Sequence, residues 1–340
     1  MHLIDSIVVG LGVVVAIAQW STGETRDQRA NFKAPSIIPH PIENPPNVEK
    51  IALGQKLFFD TNLSKTSDIS CATCHNPKFG FEDGLDFSTG VTQEKLPRHT
   101  PTLINLAWSE TFFWDGRASN LEEQAIGPLM AKAEMGMTPQ TLMERLSRDD
   151  VYQHDFNQVF PEEGLSLKTV AMALAAFERT LVSKNAPFDA WVAGDEKAVS
   201  ASAKRGFALF TGKARCSSCH SGWNFTDDGF HDIGLKSLDE GRFNVLNFPT
   251  MHHGFKTPGL RNIKERAPYM HDGSLATLDA VIRHYDDGFQ KRDSLSELMQ
   301  PLGLSANERA DLIVFLNSLS SPVAIWPQDQ KERIVAQGGE

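Results

Sequence analysis

Cysteine is scarce in this chain: 340 residues carry four, and none is left over once two pentapeptides are set aside. Basic residues also run short, with 33 Lys and Arg against 43 Asp and Glu, and the resulting charge of -10 has the wrong sign for tracking a phosphate backbone. Nucleic acid is thereby excluded as a partner. Long apolar runs are missing. The one nearly unbroken stretch reaches only from Ile7 to Ala18, short of the ~20 residues a membrane-spanning helix needs. No segment sustains the period-two alternation of a half-buried strand. At 41% hydrophobic and 22% charged, the composition rules out disordered and collagen-like chains and leaves a globular protein.

The apolar run followed by Ala16-Ile17-Ala18 has the form of a signal-peptide core with a small-x-small cleavage site. Residues 1–18 are thus read as an export signal, with the mature chain beginning near Gln19. The alternative is an uncleaved anchor, because Asp5 rather than Lys or Arg precedes the run.

The four cysteines lie in Cys71-Ala72-Thr73-Cys74-His75 and Cys216-Ser217-Ser218-Cys219-His220. CxxCH is the attachment signature of a c-type haem, in which both thiols bond the porphyrin and the adjacent imidazole ligates the iron. Structural zinc fits less well, because the two halves are far apart and neither carries a second His at finger spacing. A redox pair lacks its βαβ setting, and a disulfide rarely closes a loop of two residues. Two covalent haems are therefore expected, with His75 and His220 as iron ligands. Haem attachment outside the cytoplasm agrees with export to the periplasm.

A weak repeat surrounds the two sites. Gly54-Gln55-Lys56-Leu57-Phe58 and Gly206-Phe207-Ala208-Leu209-Phe210 precede them; Phe81-Glu82-Asp83-Gly84 and Phe225-Thr226-Asp227-Asp228-Gly229 follow. Helices are expected from Pro139 to about Ser147 behind Thr138, over Ser166 to Ser183, and after the capping box Ser305-x-x-Glu308. The fold class is all-α, two cytochrome c-like haem domains with long loops. Residues 19–45, Pro-rich from Pro35 to Pro46, form an extended lead-in; 46–190 form the first haem domain and 195–325 the second.

Further segments then stand out: Phe113-Trp114-Asp115-Gly116-Arg117, Leu121-Glu122-Glu123-Gln124-Ala125, Glu134-Met135-Gly136, Pro258-Gly259-Leu260-Arg261-Asn262 and Ala267-Pro268-Tyr269-Met270-His271-Asp272-Gly273-Ser274. Across about residues 45 to 320 the chain resembles the bacterial dihaem cytochrome c peroxidases and their MauG-like branch. The resemblance implies that hydrogen peroxide reacts at the His75 haem, whose open face is lined by Gln124, Pro128 and Glu134. Glu134 is the candidate acid/base, since breaking an O–O bond requires a proton to be taken from one oxygen and given to the other. It also implies that Trp114 carries electrons between the haems.

The far-side ligand of the His220 haem separates the branches. The peroxidases place a Met on the helix after Ala-Pro-Tyr-x-His-Asp-Gly; the matching position here is Tyr285, as in the MauG-like branch. Leu278, Val281 and Tyr285 share one helix face, with His284 as the main rival and Met270 and Met251 as weaker ones. An anionic phenolate favours oxidised iron, whereas a thioether favours ferrous iron. The loop His with which many peroxidases block the peroxide haem is replaced by Val91. The resemblance further implies calcium between the haems, but His99 stands at its Asn ligand and nitrogen suits a hard cation poorly; carbonyls of Arg266 and Pro268 remain as donors. A surface Trp of MauG ahead of the second CxxCH is here Ala214, with Trp223 as a substitute. The implied function is peroxide-driven oxidation of a partner protein through a high-valent dihaem state, including tryptophan tryptophylquinone formation in the methylamine dehydrogenase precursor. The alternative is a cytochrome c peroxidase that draws electrons from a small cytochrome or cupredoxin.

Overall fold

The computed structural model describes residues 28–323; the signal segment and residues 19–27 of the lead-in lie outside them. Among the described residues, eight helices organise the part that holds the cavities: α1 (Val48–Phe59), α2 (Leu121–Met130), α3 (Pro139–Ser147), α4 (Asp150–Val159), α5 (Leu167–Glu178), α6 (Ala201–Thr211), α7 (Leu278–Arg283) and α8 (Ala306–Asn317). Their starts follow the chain chemistry. Thr138 accepts from the Thr141 N–H ahead of Pro139, and Ser166 and Ser305 form capping boxes with Thr169 and Glu308. Helix α5 stops at Glu178 rather than at Ser183, and residues 179–183 continue as turn and extended chain. The architecture is predominantly helical but not strictly all-α. Phe230–His231 (β1) and Phe255–Lys256 (β2) form a two-residue antiparallel ladder, too short to leave an alternating pattern in the sequence.

Among the described residues two large hydrophobic cores form, beside a small third cluster of Phe112, Ala118, Leu121 and Ala175. The first centres on Ile51, Leu57, Phe58, Leu129, Phe156 and Phe177; the second on Phe188, Phe207, Phe210, Phe225, Leu312 and Phe315. Each is built on one close helix crossing, α1 on α5 and α6 on α8. The repeated glycines make those crossings possible. A Cβ at Gly54 would fall 1.9 Å from the Ala173 carbonyl oxygen, and one at Gly206 would fall 2.1 Å from that of Asp311. The lead-in is more than extended chain: Phe32 is buried in the second core, stacked on Phe225 at 5.0 Å, and Asn44 donates to the Met172 carbonyl at 2.9 Å beside the first. At the other end, Val323 packs against the first core, so both ends of the described chain tie the halves together. Among the described residues, no helix is long and apolar enough to cross a membrane.

Because the opposing atom at each crossing is backbone, Gly54→Ala and Gly206→Ala should each destabilise the folded protein by about 1–3 kcal/mol. Denaturant unfolding of the haem-loaded variants checks this. Wild-type midpoints would show that the crossings open at no cost.

Candidate active site: two haem cavities

Each CxxCH forms a single tight turn, over Cys71–Cys74 and Cys216–Ser218, that turns both thiols and the following imidazole toward one cavity. All four cysteines are unpaired. The imidazoles are held in the same way: Nδ1 of His75 lies 3.0 Å from the Phe81 carbonyl oxygen, and Nδ1 of His220 lies 3.0 Å from that of Phe225. A carbonyl only accepts, so Nδ1 carries the proton and Nε2 keeps a lone pair for a metal. Burial lowers both pKa values and favours that neutral form, against the opposing pull of the carbonyls of Phe81 and Pro101 at one site and of Phe225 and Pro258 at the other. Both Phe residues are fully buried in left-handed backbone, at φ 60° and 56°. For a non-glycine residue this conformation costs about 1–3 kcal/mol, and here it aims a carbonyl at the ring.

The first cavity has a volume of about 780 Å³. Beside Cys71, Cys74 and His75 it brings together Gln124, Pro128, Glu134 and Trp114. Gln124 and Pro128 lie one turn apart on α2. The chain then folds back, with the Met135 N–H donating to the Pro128 carbonyl at 3.2 Å and the Gly136 N–H to that of Ala131 at 2.9 Å, which sets Glu134 at the cavity wall. Burial raises the Glu134 pKa, partly offset by the Arg117 guanidinium. The loop carrying Val91 is tied to this turn through the Val91 N–H and the Glu134 carbonyl at 2.8 Å. Its side chain rests against Gly136, so no imidazole from this loop reaches the cavity.

Glu178, at the end of α5, is inconspicuous in the sequence because it sits in an Ala- and Leu-rich run that reads as core. It lines the first cavity, its Oε2 has no partner, and burial pushes its pKa up to about 8. Gln124 Oε1 is likewise buried without a protein partner. Arg98, Arg117, Lys256 and Arg266 also line this cavity, each held by a carboxylate of the chain: Asp115 and Asp239, Asp115, Asp228 and Glu82 respectively.

The second cavity, about 190 Å³, is lined by Cys216, Cys219, His220, Leu278, Val281, Ile282 and Tyr285. Tyr285 does not continue α7: it stands in a π-helical turn, His284–Gly288, a distortion often found at functional sites. Burial, then the neighbouring Cys216 and Cys219, raise the phenol pKa. The rival His284 has Nε2 2.9 Å from the Ile233 carbonyl and does not line the cavity; nor does Met251. Met270 and Met299 do line it. Cys219, Asp227 and His231 approach one another within 4.8 Å, but Cys219 belongs to the CxxCH. Trp223 packs edge-on against Trp108 at 4.7 Å, and Ala214 is buried at the second cavity wall.

Trp114, His99, Glu82 and Arg266 border both cavities. Trp114 is fixed by its Nε1–H, which donates to the His99 carbonyl at 2.8 Å. Two neutral imidazoles with a free Nε2, each beside a pair of unpaired thiols in an apolar cavity, fit two c-type haems. The site is that of a dihaem oxidoreductase.

A model of the di-haem cytochrome c peroxidase family matches residues 48–197, and a cytochrome c model matches residues 203–320. The chain is 49% identical over 319 residues to methylamine utilization protein MauG of Methylorubrum extorquens, spanning 92% of this chain and 90% of that protein. It is 36% identical over 280 residues to cytochrome c551 peroxidase of Pseudomonas aeruginosa, covering 79% of this chain and 78% of that one. A solved MauG-like protein associated with microbial copper homeostasis superposes with a TM-score of 0.79 at 32% identity, over 86% of this chain and 95% of the other. The chain belongs to the di-haem cytochrome c peroxidase and MauG family, and is a haem-dependent oxidoreductase with two covalently bound c-type haems.

Glu178 yields a pH-dependent prediction. Its folded pKa lies above its unfolded one, so the native state binds the extra proton and loses stability as pH rises from the ordinary Glu range to about 8. Glu178→Gln should remove that decline. Thermal midpoints of haem-loaded wild type and variant, compared between about pH 5 and about pH 8, should converge at the acid end and separate at the basic end in favour of Gln. Parallel curves would mean that Glu178 is ionised throughout.

Proposed function

We propose that this protein is a MauG-like oxidase: it takes two oxidising equivalents from hydrogen peroxide and uses them to withdraw electrons from residues of a partner protein. The observation that carries the reading is Tyr285 on the wall of the second haem cavity, with His284 engaged elsewhere. An oxygen ligand there would favour oxidised iron over the ferrous state a thioether prefers. The haems supply the redox chemistry; the chain's own groups place reactants and move protons.

In this reading residues 46–190 carry the peroxide site and 195–325 the electron-transfer site, with Cys71, Cys74, Cys216 and Cys219 as haem anchors and His75, His220 and Tyr285 as iron ligands. Peroxide enters between Gln124, Pro128 and Glu134. Gln124 Oε1 is free to accept from its O–H group. Glu134, its pKa raised by burial, removes a proton from one peroxide oxygen and delivers it to the other as the O–O bond breaks. Each peroxide accepts two electrons and two protons to give two waters. Trp114, which borders both cavities, passes electrons between the sites. The absence of an imidazole from the Val91 loop supports a first haem that reacts without prior reduction.

The periplasm is the proposed compartment, because CxxCH sites receive haem outside the cytoplasm. Similarity to methylamine utilization protein MauG makes the precursor of methylamine dehydrogenase the partner to test, with tryptophan tryptophylquinone as product. Since Ala214 is buried where MauG carries an exposed Trp, the exit for electrons differs here, and the half-buried Trp108–Trp223 pair is its candidate.

Stopped-flow mixing of the fully ferric protein with peroxide tests the roles. Glu134→Gln should slow the haem spectral change about 10²–10⁴-fold while leaving haem content and the resting spectrum intact. A wild-type rate would remove Glu134 from the chemistry. Tyr285→Met should raise the reduction potential of the second haem, and an unchanged potential would exclude ligation by the phenol. Added precursor should gain the mass and absorbance of the quinone; fast turnover with reduced cytochrome c and an unmodified precursor would identify a peroxidase instead.

A further inference from the structure

We propose that the cation between the two haems of this protein is built from its own side chains: the His99 imidazolium, clamped with Arg266 on the Glu82 carboxylate, stands where the family resemblance implies calcium, and the haems are coupled without a metal ion. The residues present do not fit calcium. That ion takes six to eight oxygen ligands, and His99 offers none from its side chain. Nδ1 of His99 lies 2.7 Å from the Leu85 carbonyl oxygen, and Nε2 lies 3.0 Å from Glu82 Oε2. Both partners only accept, so the ring must donate twice, and a neutral imidazole has a single N–H. The ring is therefore cationic and has no lone pair to give.

Both oxygens of Glu82 are already engaged by cations. Its Oε1 accepts from Arg266 Nε at 2.8 Å, while Arg266 Nη1 donates to the carbonyls of Gly259 at 2.9 Å and Arg261 at 3.0 Å. His99, Glu82 and Arg266 are 2%, 4% and 4% exposed, so water does not screen the cluster. A calcium ion drawn to the Arg266 and Pro268 carbonyls would meet a guanidinium and an imidazolium. Within the triad two cations share one carboxylate, a net positive charge placed where both haem cavities meet, with Asp83 acting on the imidazole from outside it.

The cluster also positions the relay. The His99 N–H donates to the His271 carbonyl at 2.8 Å, and the His99 carbonyl accepts from Trp114 Nε1 at 2.8 Å. Holding the ring of His99 by two bonds thus fixes the peptide on which Trp114 hangs. His99 and Glu82 act here as positioning residues.

The test uses the haem-loaded full-length protein, prepared in calcium-containing buffer and desalted. Elemental analysis should find calcium far below one ion per chain, and EGTA should leave the ferric EPR spectrum unchanged. One tightly held calcium per chain, or an EPR change on chelation that calcium reverses, would overturn the proposal; this arm needs no variant. In a second arm, Glu82→Gln keeps the shape but removes the charge that holds His99 cationic. One equivalent of peroxide should then deplete the high-spin signal of the first haem while the low-spin signal of the second persists. Equal loss of both signals, as in wild type, would mean that the triad does not support the coupling.

Discussion

Everything at the two haem sites depends on one hydrogen bond made twice: the Nδ1–H of a buried histidine donating to a phenylalanine carbonyl, 3.0 Å away at each site. It fixes the tautomer and leaves Nε2 of each ring with a lone pair for a haem iron. Both carbonyls are delivered by left-handed, fully buried Phe residues. That backbone is held by the cores beneath, which exist because Gly54 and Gly206 let two helix pairs approach to backbone contact. Closeness of helices, strain in a loop and orientation of an imidazole are successive links of one chain.

Function arises where the repetition breaks. On the shared frame, the first cavity carries the protonatable Glu134 and Glu178 and the Gln124 amide in its wall; the second carries the Tyr285 phenol, and Glu82, His99 and Arg266 border both. One is suited to a reactant that needs protons moved, the other to holding charge away from water. Trp114 lies on their common boundary, anchored through the His99 peptide. The buried His99–Glu82–Arg266 ion cluster lies on the same boundary, so the peptide that holds Trp114 and the charges beside it belong to one network.

Much of this is legible in the sequence. The two pentapeptides announce the haems, the paired glycine and phenylalanine segments mark matching halves, and the Ser, Thr and Pro caps place α3, α5 and α8 within a few residues. The remainder depends on tertiary partners that no local pattern encodes. His99 stands out in the sequence as a misfit for calcium, but its partner Glu82 lies 17 residues away and Glu82's other partner Arg266 lies 184 residues further on. Tyr285 is reached by counting along a helix, yet the turn presenting it is π-helical, which no hydrophobic period encodes. Glu178 is masked by its apolar neighbours. Phe32, a lone aromatic in a proline-rich approach, gives no sign that it completes the second core.

The central claim is that one peroxide charges both haems of the resting, fully ferric protein. EPR before and after one equivalent of hydrogen peroxide, with no reductant present, tests it most directly. The account predicts that the high-spin and low-spin ferric signals disappear together and return slowly. Persistence of both signals, with reactivity only after partial reduction, would contradict it and would place the protein among reductively gated peroxidases.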